Sequence, residues 1–107
     1  MTTEIRAILS ELEEFDQTSG DVHFFEALVN NAIYSMNKFQ KENGKDLESN
    51  IKSVINQTIS DLLETLNKEV EWAKEEIALD NLKEGINYLS KSKDRVISDL
   101  KNVVDNT

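Results

Sequence analysis

The chain has 107 residues, with no cysteine, no proline and only three glycines. That excludes a disulfide framework, a zinc finger and a thiol nucleophile, and it leaves few turn residues for a sheet protein of this size. Lys and Arg number 12 against 21 Asp and Glu, a formal net charge of −9, which repels nucleic-acid phosphates and anionic lipid and makes basic protein surfaces the better electrostatic match.

A hydrophobic fraction of 38% with 31% charged residues is too apolar and too periodic for a disordered chain, and it suits a small helical bundle. Residues 1–107 are expected to form one such domain. The start, Met1-Thr2-Thr3-Glu4, lacks the basic and apolar segments of a signal peptide. No apolar run approaches the roughly 18 residues of a membrane span. A cytoplasmic protein is the expectation.

The first predicted helix runs from about Thr3 to Phe15. Ile5, Ile8, Leu9, Leu12 and Phe15 make its apolar stripe, with Thr2 or Thr3 as cap. Gln17-Thr18-Ser19-Gly20-Asp21 reads as a turn. The second helix runs from about Val22 to Glu42, capped by Ser19 or Asp21, with Phe25, Leu28, Val29, Ala32, Ile33, Met36 and Phe39 at helical spacing. Asn43-Gly44 marks its end, with Gly44 free to take a positive φ.

The third helix begins at Asp46 as N-cap and continues to about Leu79. Its stripe is Leu47, Ile51, Val54, Ile55, Ile59, Leu62, Leu66, Val70, Ala73 and Ile77, unbroken by glycine. At about 1.5 Å per residue the stripe reaches roughly 45 Å. Its phase slips by one residue against Leu82, Ile86 and Leu89, which places a turn at 79–81, with Asn81 and Glu84 at the spacing of a capping box. The fourth helix carries Leu82, Ile86, Leu89, Val96, Ile97, Leu100, Val103 and Val104.

The expected fold is therefore all-α, an up-and-down bundle of about four helices with one long central helix. Lengths of roughly 13, 21, 33 and 24 residues cannot form a bundle of equal rods. Either a second copy covers the excess stripe around Leu62, Leu66 and Val70, giving a homodimer, or the third helix kinks. The N-terminal acids (Glu4, Glu11, Glu13, Glu14, Asp16, Asp21, Glu26) and the C-terminal bases (Lys91, Lys93, Arg95, Lys101) suit two chain ends lying side by side, or an acidic docking face.

Catalytic patterns are weak. His23 is the sole histidine, with no second one to assist it. Glu-x-x-His is absent, which removes the di-iron bundles. Glu11/Glu14, Asp61/Glu64 and the group Glu71, Glu75, Glu76 have one-face spacing, but a chain this acidic produces such pairs by chance. No phosphate loop or serine-nucleophile motif occurs. The stretch Lys91-Ser92-Lys93-Asp94-Arg95 is too diluted by acids for a nucleic-acid patch, so direct nucleic-acid binding is not expected.

Off-stripe apolar residues are the better lead. Phe24, Tyr34, Leu63, Trp72 and Leu79 lie off the core lines, where a second buried face or a partner contact places such groups. The candidate interface is Leu62, Leu66, Val70, Trp72, Phe24 and Tyr34. No catalytic residue, cofactor or metal ligand is assigned. The expected function is binding of another protein, as a regulator, adaptor or inhibitor. The alternatives are an acidic mimic of nucleic acid, centred on the first helix, and a metal-dependent enzyme built on helix carboxylates.

Overall fold

A computed structural model describes residues 1–107. It is all-helical, with no strand. Helix α1 spans Thr2–Glu14, α2 Val22–Asn43, α3 Ser49–Thr65, α4 Glu71–Ala78 and α5 Leu82–Asn106. A π-helical turn, Leu66–Val70, joins α3 to α4 without a break, so residues 49–78 form one long rod.

Contacts between elements run in opposite numerical directions, which fixes an up-down-up-down bundle. Phe15 meets Phe25 across α1 and α2. Gln40 bonds Asn56, and Glu26 meets Lys74, so α2 is antiparallel to the long rod. Ser92 and Arg95 meet Glu69 from α5. Lys101 approaches Glu13 at 3.6 Å, which brings the acidic first helix beside the last one. The particle measures 49 × 23 × 18 Å.

One contiguous core takes residues from every α-helix. Leu62, Leu66 and Val70 lie inside it, with Val70 and Leu62 fully shielded. The long rod therefore does not need a second copy to cover these three side chains, and they are not an exposed interface. Two features account for the difference from the sequence expectation. Helix α5, at 25 residues, runs beside the whole upper rod. The short α1 is extended by Phe15, which is buried, and by a 3-10 turn, Gln17–Ser19, packed on α5; Lys93 donates to the Phe15 carbonyl at 2.7 Å.

The π turn interrupts the regular α-helical period of the rod without ending it. A single wide turn adds a residue to the helical count and rotates the downstream half of the rod. Upstream of it Thr58, Leu62 and Thr65 face inward; within it Leu66 and Val70 do, and downstream Ala73. The hydroxyl of Thr65 donates to the Asp61 carbonyl at 3.0 Å, which satisfies it within the core.

Several caps differ from the sequence reading. Asp21 caps α2 as expected, accepting from the Phe24 N–H at 3.1 Å. Helix α1 starts at Thr2 with no side-chain cap, and the Met1 ammonium pairs with Glu4 at 2.8 Å instead. Gly44 stays right-handed at φ −55, and Asp46 lies in the turn, so α3 begins only at Ser49 after Glu48. Glycine at 44 answers a close approach: a Cβ there would stand 2.6 Å from the Gln40 carbonyl oxygen.

The turn at 79–81 is where the phase slip places it. Asn81 N–H donates to Glu76 C=O and Asp80 N–H to Ile77 C=O, with Asp80 at φ 60. This is the six-to-one and five-to-two pairing that closes a helix through a left-handed residue, and aspartate is among the few side chains that tolerate it. Asn81 does not form the predicted capping box; its amide donates to the Glu76 carboxylate at 2.7 Å. Past the turn, Gly85 lets the two helices touch, since a Cβ there would meet Ile77 Cγ1 at 2.6 Å.

Candidate functional site: the aromatic and acidic seam of the long rod and α5

The exposed members of the predicted interface lie on three separate surfaces. Phe24 is half-exposed at the start of α2 and stacks on Phe15, with ring centroids 6.0 Å apart. Tyr34, at 68% exposure, stands toward the other end of α2, beside a shallow pocket shared with Met1, Glu4 and Lys38. Trp72, at 46%, projects from α4 and meets Tyr88 of α5, centroids 5.6 Å apart and planes tilted by 53°.

The Trp72–Tyr88 pair sits on the outer seam between the long rod and α5. Ala73 and Gly85 form the floor where the two helices close, so the aromatic rings stand above the contact. Glu76 lies one turn beyond Trp72 and Glu84 one turn before Tyr88, both on the same edge. Leu79, the most exposed large apolar residue at 76%, follows seven residues after Trp72 and so shares its face.

In the other direction the seam turns polar. Glu69, only 12% exposed at its side chain, pairs with Arg95 at 2.7 Å and accepts from the Ser92 hydroxyl at 3.0 Å. The π turn places Glu69 there: it belongs to Leu66–Val70 and faces α5 between the two phases of the rod. Further along, Asp61, Glu64, Arg95 and Asp99 line a small pocket. Lys68 holds Glu64 at 2.9 Å, and that hydrogen bond draws the Glu64 carboxyl below its ordinary value. Gln57 donates to Asp61 at 2.9 Å.

Asp99 is the unsatisfied member. Its Oδ2 is shielded from solvent and has no hydrogen-bond partner. Burial, and next the neighbouring Asp61 carboxylate, push the Asp99 carboxyl above its ordinary value, against the opposing pull of Arg95.

The remaining candidates do not converge. His23 is exposed in the first turn of α2. The basic stretch divides: Lys93 turns to the Phe15 carbonyl and Arg95 to Glu69. On α1, Glu4 is held by the N-terminus and Glu13 faces Lys101, while Asp16 accepts from Thr18. No three His, Cys, Asp or Glu side chains come together as a metal site. No helix is long and apolar enough to cross a membrane.

The sequence alone singles out Trp72 but not its seam. The signals for Tyr88 and Glu69 are present only as positions along a helix, and the π turn, which has no sequence mark of its own, decides where they meet. No family model, no curated protein and no solved structure matches the chain.

Proposed function

We propose that this chain is a small acidic protein-binding module of the cytosol, a regulator, adaptor or inhibitor that docks another protein through the face carrying Trp72, Tyr88 and Leu79. The observation that carries this reading is the half-exposed Trp72 against Tyr88, with Leu79 beyond it and the acids Glu76 and Glu84 alongside. Tryptophan and tyrosine bury much apolar area with few rotatable bonds and keep a polar edge, which is why they dominate binding hot spots. A chain without cysteine suits a reducing compartment.

Site-directed photo-cross-linking in living cells tests the reading. A photoreactive residue at position 72 or 79 is expected to trap a partner protein, while the same residue at Glu11, on the exposed face of α1, traps none. Equal trapping at all three positions, or none at 72 and 79, would contradict it.

A further inference from the structure

The charge around the aromatic pair narrows the class of partner, and the inference rests on the protein-binding reading. At one end of the seam stand Glu76, Asp80 and Glu84; at the other stand Asp61, Glu64 and Asp99. Of the cations along the seam, Lys68 pairs with Glu64 and Arg95 with Glu69, while Lys91, one turn beyond Tyr88 on α5, is exposed and makes no ion pair. Acids outnumber bases at both ends of the seam, and the exposed apolar groups lie between them.

The length is equally specific. From Asp61 to Leu79 the rod advances roughly 27 Å at about 1.5 Å per residue. The opposite wall runs antiparallel from Asp99 to Glu84, so the seam is a trough between two helices. A third helix laid along it meets both walls, with an apolar stripe over the rings and cationic flanks over the acids. A second copy of this chain is the poorer occupant, because its net charge of −9 would bring like charge to the same trough.

We infer that the seam between the long rod and α5 receives a cationic amphipathic helix of a partner protein. An apolar side chain of that helix packs on Trp72 and Tyr88, and a lysine or arginine pairs with Asp61 at the pocket end.

Trp72 is the only tryptophan, so its emission reports the seam without a label. The probe is a synthetic helical peptide of about 18 residues with one leucine face and lysine on the rest, long enough to span the trough. Saturable one-to-one binding with a blue shift of Trp72 emission is expected, weakening at least about tenfold from low to high salt. Asp61→Asn with Asp99→Asn should weaken binding about tenfold, while Glu11→Gln with Glu14→Gln, which removes the same charge from α1, should change it less than about twofold. Equal losses in the two double variants would reduce the effect to general attraction of a polycation and overturn the inference. Tighter binding of a glutamate–leucine or serine–leucine peptide would overturn the partner's charge and leave the protein-binding reading standing. If no peptide binds while cross-linking at position 72 persists, the cationic helix is wrong and the docking face is right; if both fail, both readings fall. Self-association that depends on Trp72 would make a second copy the occupant and contradict the inference.

Discussion

Asp99 shows how one residue can report on a surface. Its carboxyl is raised by burial and by Asp61, so folding favours the protonated form. Stability from this group is therefore fully present below the ordinary aspartate value of 3.8 and is lost as pH rises through the elevated folded value. At neutral pH the charged form is a cost. Asp99→Asn is expected to raise the urea midpoint at pH 7 and to leave it nearly unchanged below the ordinary aspartate range. A variant less stable than wild type at pH 7 would mean that the attraction of Arg95 outweighs the burial. The residue is legible in the sequence as one acid among many; its burial is not, because that depends on how closely α5 lies against α3.

At the scale of elements, the π turn is the feature that sequence periodicity conceals. The steps Leu62, Leu66, Val70, Ala73 and Ile77 read as continuous helix, and the rod is indeed continuous. The spacing does not reveal that one turn widens, since widening depends on which phase fits α2 and α5 on either side. The helices, the turn at 79–81 and the Asp21 cap are readable, because apolar period and capping chemistry are local. The start of α3 at Ser49 and the right-handed Gly44 are not, because asparagine–glycine and aspartate only permit a left-handed stop and a cap without requiring them. The widened turn gives a direct prediction. Deleting exposed Asn67 takes out the extra residue, and the rod is expected to become regular α-helix with both flanks in phase and Trp72 emission unchanged. Deleting exposed Ser60 instead turns everything beyond it by about 100° and sets the core residues against solvent. Circular dichroism with thermal melting should show the first variant folded and the second unfolded or strongly destabilised; the reverse order would contradict the assignment of the turn.

Across the whole molecule, the long stripe closes within one chain. Leu62, Leu66 and Val70 are core residues, packed by α2 and α5, so the length mismatch that argues for a homodimer is met by the 25-residue α5 and by the segment after α1. The exposed aromatic seam, with Trp72 and Leu79, is then the surface proposed for a partner. Truncating a buried leucine such as Leu62 costs about 2–5 kcal/mol, and placing a charge there costs more. Leu66→Glu should therefore unfold the chain instead of separating two folded copies. The deciding measurement is sedimentation velocity of the wild-type protein from about 1 to about 100 μM, a range in which a specific dimer would shift by mass action. A single elongated species of 12.2 kDa is expected at every concentration. A dimer that Leu66→Glu converts into a folded monomer would contradict closure within one chain, and would return the stripe of the long rod to the interface.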